Sequence, residues 1–316
     1  MGPRFEVFCA GNAVADVLAR PVDSLAAPGA SQRLEEVALG PGGNGVNTAI
    51  ALARLGVRVA LAAPVGEDRL GEILRQSVRA EGVDDSNVQT IKGAKTAASI
   101  VLVDSSGERR LLHFRGASAQ FSGHHLNWDL VKGSRVFHYA SAFALPSFDG
   151  APLVEAMSRA RQLGCLTSMN PCWDSGGRWL PLIEPALRYV DYFYPNQEEG
   201  QQLTGESEPA GIARRLRRLG VKAVIVKQGG RGCYVESAGE AFISPGFAVR
   251  PVDTTGAGDC FAAAFLAAIS RGGSLAEAAR YANAAGALAT LGMGGADSAP
   301  TRAQVLALLG TAEEAF

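Results

Sequence analysis

The chain has 316 residues, 47% of them hydrophobic and 19% charged, with a formal net charge of −1. That is enough apolar material for a substantial core, in one large α/β domain or two smaller ones. The charge balance excludes the basic footprint of a nucleic-acid binder and the polybasic stretch of a membrane-surface protein.

The elements read in chain order. Residues 5–10 form a short buried strand. Segments 14–20 and 33–39 are partly alternating and are separated by Pro21, Pro28 and Gly29, so they predict small strands away from the core. Residues 43–56 carry a helical pattern closed by a glycine, followed by a β-branched strand at 57–65 and an amphipathic helix at 68–81. Segments 96–103 and 108–114 flank Asp104-Ser105-Ser106-Gly107 and read as a hairpin. Beyond 120 the rhythm becomes strand–helix alternation. Strands are predicted at 135–140, 165–169, 189–194, 222–227 and 233–236. Helices are predicted at 150–163, 177–188, 197–204, 208–219, 257–271, 274–291 and 301–310. Such alternation implies a mostly parallel sheet covered by helices on both faces, with the early strands and the hairpin forming a separate sheet.

The densest chemistry lies at Asp253-Thr254-Thr255-Gly256-Ala257-Gly258-Asp259, which runs directly into an Ala-rich helix. Gly256 and Gly258 leave the first helical turn bare. Its unpaired N–H groups, at the positive end of the helix dipole, make an anion hole of Gly256, Ala257 and Gly258. Asp259 sits just inside that end, where an ionised carboxylate is favoured. A hole for the charge on a phosphoryl group and a carboxylate to take a hydroxyl proton are the parts of phosphoryl transfer. Asp and Thr before a helix are also ordinary caps, but capping does not call for two glycines and an acid in four residues.

Gly40-Pro41-Gly42-Gly43-Asn44-Gly45 formally matches G-x-G-x-x-G, with Glu67 at a distance suited to a ribose-binding acid, the pattern of an NAD-dependent dehydrogenase. That loop should follow the first core strand closely, whereas about thirty residues intervene, and the reading leaves 252–259 unexplained. Close backbone approach to a polyol, with Asn44 and Asn47 supplying amides, is the alternative.

Asp253–Asp259 resembles the C-terminal motif of the ribokinase-like (PfkB-type) carbohydrate and nucleoside kinases, and Gly42-Gly43-Asn44-Gly45-Val46-Asn47 resembles the same family's N-terminal glycine motif. The resemblance covers essentially the whole chain. It implies a three-layer α/β fold, with a core at about 1–12, 40–95 and 120–316 and a β lid at about 13–39 and 96–119. It implies ATP-dependent phosphorylation of a sugar, sugar acid or nucleoside hydroxyl, with Asp259 as base. Asp16, Gly42, Gly43, Asn44 and Asn47 would hold the acceptor, and Arg115 at the hairpin's end would read an acidic one. Asn196 and Glu199 match the family's N-x-x-E motif, which organises Mg²⁺ and its waters, although the same spacing is a capping box. Lys227, Gly229 and Gly232 match a turn beside the nucleotide phosphates, and Asn283 a position near the adenine. Asp253 and Thr255, with 292–296, match a loop that binds K⁺ in many members. A homodimer through the lid is a further family expectation. A non-catalytic sensor of the same fold is the rival from outside enzymology, and the intact Asp259 and glycines argue against it. Ribose-specific members carry lysine where this chain has Asn44, and a glutamate on the strand that here reads Tyr139-Ala140-Ser141-Ala142-Phe143, so ribose is disfavoured.

The five cysteines, Cys9, Cys165, Cys172, Cys233 and Cys260, are odd in number and hold no C-x-x-C pair. They argue against zinc or a disulfide framework and for a reducing cytoplasm. No apolar run is of bilayer-spanning length and no signal-peptide pattern opens the chain. Glu6 at the sixth position breaks a myristoylation motif at Met1-Gly2. His113, His124, His125 and His138 lack metal-ligand spacing.

Overall fold

The computed structural model describes residues 3–106 and 108–310. Gly107 of the predicted hairpin turn and the Met1-Gly2 pair lie outside the described residues. In chain order the strands are β1 (Phe5–Ala10), β2 (Val14–Arg20), β3 (Glu36–Gly42), β4 (Val59–Gly66), β5 (Asp84–Ile91), β6 (Ala97–Val103) and β7 (Arg109–Phe114). They continue with β8 (Ser134–Ala142), β9 (Leu166–Pro171), β10 (Tyr192–Phe193), β11 (Ala223–Lys227), β12 (Gly232–Glu236) and β13 (Ala241–Pro245). The helices are α1 (Asn44–Arg54), α2 (Arg69–Ala80), α3 (Trp128–Lys132), α4 (Ala151–Gln162), α5 (Trp179–Leu187), α6 (Gln197–Thr204), α7 (Pro209–Arg218), α8 (Ala257–Ser270), α9 (Leu275–Ala289) and α10 (Arg302–Leu309).

The main sheet has the order β13-β12-β11-β10-β9-β8-β1-β4-β5. It is parallel from β5 through β11, and β12 and β13 add as antiparallel strands at one edge. Alternation along each strand feeds two cores. Val7, Cys9, Leu61 and Ile225 pack on one face with α1, α8 and α9, while Phe8, Ala10, Ala60 and Val224 pack on the other with α4, α5 and α7. The all-Ala stretches of α8 let it lie buried against both α1 and α9. No helix among the described residues is long and apolar enough to cross a membrane.

The early strands and the hairpin form a separate sheet, ordered β3-β2-β6-β7. Register places Gly40, Asp16, Ser99 and His113 in one cross-strand row on one face, and Leu39, Val17, Ile100 and Leu112 in a row on the opposite face. Arg109 shares the face of His113, since residues four apart on a strand point the same way.

Two predicted strands differ from those observed, and two observed strands were not predicted. The strand expected at 33–39 runs Glu36–Gly42, so Gly40 and Pro41 lie in an edge strand rather than a turn, and an edge tolerates proline. Strands β5 and β13, on the outer edges of the main sheet, fall in polar or mixed segments where no strand was predicted. The strand expected at 189–194 shortens to Tyr192–Phe193.

Candidate active site

The start of α1, the carboxyl ends of β9 and β11 and the first turn of α8 meet at Asp259. This side chain is buried, and its carboxylate accepts three amides: Asn44 Nδ2 at 3.1 Å, Asn47 Nδ2 at 2.9 Å and Asn170 Nδ2 at 3.3 Å. Burial raises its pKa, against the lowering pull of those amides and of Lys227. The position at a helix N-terminus predicted an easily ionised group; desolvation outweighs it.

Lys227 lies on the other side of Asn170, donating from Nζ to Asn170 Oδ1 at 2.9 Å. Burial lowers its pKa, and the nearby Glu199 and Asp259 carboxylates oppose that shift. A Cβ built on Gly258 would stand 3.1 Å from Lys227 Nζ, so the ammonium faces the bare start of α8. There Cys260 N–H is paired with Gly256 O at 2.9 Å, and Ala257 N–H makes a long 3.3 Å bond to Thr254 O. Gly258 and Asp259 N–H have no backbone acceptor among the described residues. Gly256 takes a left-handed conformation (φ 73°), and a Cβ there would collide with Gly295 at 2.6 Å, so the turn admits only glycine.

The Asn196–Glu199 pair forms a capping box, with Asn196 N to Glu199 Oε2 at 2.8 Å and Glu199 N to Asn196 Oδ1 at 2.7 Å. Asn196 also bridges Lys227 backbone to backbone, which sets the cap beside that lysine. Glu199 is buried and its pKa raised, chiefly by desolvation, with Lys227 opposing. Among the described residues no group of three or more His, Cys, Asp or Glu side chains could hold a metal ion by itself. A lone acidic side chain beside a lysine and an open helix start suits Mg²⁺, which keeps its waters and leans on substrate phosphates.

On the small sheet, the Asp16 carboxylate fills the space that a Cβ on Gly42 would need, only 2.0 Å away, which explains the glycine. Its pKa is pushed up to about 6 by burial, with a hydrogen bond from Ser99 lowering it and Asp297 raising it. Ser99 Oγ meets His113 Nδ1 at 3.1 Å. Behind the row, Asn12 N–H donates to Ser141 Oγ at 3.0 Å, and Ser141 Oγ donates back to Asn12 Oδ1 at 2.9 Å. Gly43 caps α1, which carries Asn44 and Asn47.

Other predicted residues lie further out. Arg115 is exposed and reaches Ser175 Oγ at 3.5 Å. Asn283 is buried and spends its amide on Ser244 O and Oγ, both at 3.0 Å, and on Pro245 O at 3.2 Å, tying α9 to β13. A Cβ on Gly232 would strike Ser244 O at 2.1 Å, so that glycine serves the β12–β13 approach, whereas Gly229 opens a turn with φ 59°. Asp253 accepts Thr255 N–H at 2.8 Å and Gly294 N–H at 3.0 Å, and both Asp253 and Thr255 are met by Arg109.

Sequence reading missed Asn170, Ser99, His113, Asp297 and Arg109. Asn170 carried a usable signal, a polar residue before Pro171 at the carboxyl end of a core strand. Ser99, His113 and Arg109 depend on register between strands, and Asp297 on the loop after α9.

The doubly covered parallel sheet with a small β sheet beside a glycine-rich helix start defines a ribokinase-like kinase fold. The pfkB family carbohydrate kinase model matches residues 4–302, so the chain belongs to that family and is an ATP-dependent carbohydrate kinase. It is 34% identical over 284 residues to Fructokinase-1 of Zea mays, covering 85% of this chain and 88% of that one. It is similar to the ribokinase of Thermotoga maritima (TM-score 0.83, 28% identity, 97% of this chain and 100% of that one). It also resembles the Arabidopsis thaliana ribokinase in complex with ribose and ATP (TM-score 0.86, 25% identity, 99% and 100%).

Proposed function

We propose that the chain transfers the γ-phosphoryl group of ATP to a hydroxyl of a neutral sugar, with fructose as the leading acceptor, and that Asp259 is the general base. One observation carries this: a buried carboxylate, fixed by three amides, lies one residue beyond a glycine whose bare Cα faces a lysine. Asp259 accepts the proton as the acceptor oxygen forms its bond to phosphorus and the bond to the leaving ADP oxygen breaks. The N–H groups of Gly258 and Asp259 and the ammonium of Lys227 take up charge on the phosphoryl oxygens. Mg²⁺, bound through nucleotide phosphates and waters, would neutralise charge between β- and γ-phosphates. Glu199 would orient those waters, Gly229 would let backbone approach the phosphates, and Asn283 would hold β13 as a wall beside the base.

Fructose is favoured by the fructokinase relatives and by the charge of the acceptor pocket. Asp16, Asp259 and Asp297 would repel a second anion, and a phosphorylated acceptor ordinarily meets Lys or Arg. Arg115, two residues beyond His113 just past the end of β7, carries the charge that would read a sugar acid, the second reading. A coupled ADP assay over pentoses, hexoses, nucleosides, sugar acids and sugar phosphates tests both. Fructose 6-phosphate or tagatose 6-phosphate outperforming every neutral sugar and nucleoside would sink the proposal. A sugar acid as best substrate, with activity lost in Arg115→Ala, would establish the second reading.

The same chain would pair through its small sheet. Val37, Leu39, Ile100, Leu112 and Phe114 are exposed and share the face opposite Asp16. A contiguous apolar face of this kind fits a second copy of itself.

A further inference from the structure

Asp253 joins three parts of the chain. Its Oδ1 accepts Thr255 N–H at 2.8 Å, from the loop that leads into the anion hole, and its Oδ2 accepts Gly294 N–H at 3.0 Å, from the segment against which Gly256 packs. The third part is Arg109, from the start of β7, whose Nη1 donates to both Asp253 Oδ1 and Thr255 Oγ1. Asp253 is nearly buried. Desolvation raises its pKa, but the Thr255 and Gly294 hydrogen bonds and the Arg109 charge outweigh that and hold it below the usual carboxylate value. A second arginine of the small sheet, Arg20, donates from Nη1 to Met293 Sδ at 3.4 Å while pairing with Glu36. The small sheet thus reaches the same loop pair with two guanidinium groups.

These residues do not fit a monovalent cation. K⁺ has to be wrapped by several oxygens released from other partners. Here the carboxylate and the Thr255 hydroxyl are both taken by a fixed positive charge, which would repel a second one at contact distance. We infer, taking the N–H groups of Gly258 and Asp259 as the anion hole proposed above, that Arg109 replaces the monovalent cation and makes the kinase independent of K⁺. Arg109 is a positioning residue: it touches no reacting atom, and it fixes the Asp253–Thr255 loop through which Gly256 and Gly258 are aimed. Because it arrives on the small sheet, its contact also couples the approach of that sheet to completion of the hole. An ion from solvent would leave the two independent.

The test compares wild type, Arg109→Ala and Arg109→Lys in K⁺, NH₄⁺, Li⁺ or tetramethylammonium salts at constant ionic strength. Wild type should show K⁺-dependent changes in kcat of less than about twofold, the scale left once screening is held fixed. Its melting temperature should be the same in K⁺ and in tetramethylammonium. Arg109→Ala should lose about tenfold or more in kcat, with a smaller change in acceptor KM, as two charge-assisted hydrogen bonds vanish. K⁺ or NH₄⁺, but not Li⁺ or tetramethylammonium, should restore part of that loss and raise the variant's melting temperature. Arg109→Lys should retain more activity than Arg109→Ala and respond less to K⁺. A wild type activated severalfold or selectively stabilised by K⁺ overturns the inference, and that arm stands even if both variants misfold. A kcat in Arg109→Ala equal to wild type, or a loss that no monovalent ion relieves, overturns it as well. Near-normal turnover by Asp259→Asn would reject the base assignment alone and leave the cation titration readable.

Discussion

Lys227 and Asp259 are joined through one side chain: Asn170 accepts from Lys227 Nζ at 2.9 Å and donates to Asp259 Oδ1 at 3.3 Å. The amide keeps the two opposite charges from collapsing into a direct ion pair, which would cover the base and withdraw the ammonium from the start of α8. Asn170→Leu should therefore lower kcat by about tenfold or more, the cost of a charge-assisted bond removed in a buried site. Asn170→Asp should place a second carboxylate beside Asp259 and move the acidic limb of the kcat–pH profile upward. An unchanged profile in Asn170→Asp would show that the amide only fills space.

Asp259→Asn should lower kcat by roughly a hundred- to ten-thousand-fold, the range for a general base. Its stability should move the other way. The folded pKa of Asp259 is raised by burial, so its ionised form opposes folding at every pH above the unfolded value. A neutral amide removes that cost, and the variant should melt at or above the wild-type temperature at pH 8. A large drop in melting temperature would mean that the three asparagines need the charge to hold their places.

How far these features could be read from sequence depended on their spacing along the chain. The residues proposed as anion hole and base fall within four positions, 256–259, ahead of a helix whose alanines announce close packing, so that proposal could be made without a structure. Asn44 and Asn47 shared one helical face and were found with the glycine motif, although their amides turn out to hold Asp259. Asn170 is 89 residues from Asp259, and Arg109 is 144 from Asp253. Only the strand order of the two sheets brings those pairs together. The edge strands β3, β5 and β13 were misplaced or missed because an edge need bury only part of its surface, so polar and proline-bearing segments suffice.

Glu199→Gln keeps an oxygen to accept Asn196 N–H, so the cap of α6 and the melting temperature should change little. The charge beside Lys227 is lost. The Mg²⁺ concentration giving half-maximal rate should rise, with saturating kcat reduced. An unchanged Mg²⁺ dependence would leave the Asn196–Glu199 pair as a helix cap alone, whose full removal costs about 1 kcal/mol.

The proposed pairing through the small sheet predicts a change of oligomeric state. Leu39→Asp combined with Leu112→Asp puts two charges into one exposed row on the face away from Asp16. The double variant should sediment as a monomer where wild type sediments as a dimer. A monomeric wild type at micromolar concentration would refute the pairing.

Asp16 supplies the prediction that joins pH to the acceptor. Its folded pKa of about 6 lies above the usual aspartate value, and burial is the main cause. A raised carboxyl pKa means that the folded state holds its proton more tightly than the unfolded chain. The favourable contribution is complete below the unfolded pKa, is lost as pH rises toward 6, and stays lost above it. The loss is about 3 kcal/mol. Asp16→Asn should thus be more stable than wild type at pH 8 and little different near pH 4. Binding runs in the opposite direction, because an ionised carboxylate accepts from two sugar hydroxyls and a protonated one accepts poorly. In wild type, kcat/KM for the acceptor should fall as pH drops below about 6. Asp16→Asn should lose that limb and show an acceptor KM about tenfold or more higher at pH 8, with the KM for ATP unchanged. Retention of the limb in Asp16→Asn would assign it to another group, and an unaltered acceptor KM would remove Asp16 from the sugar site.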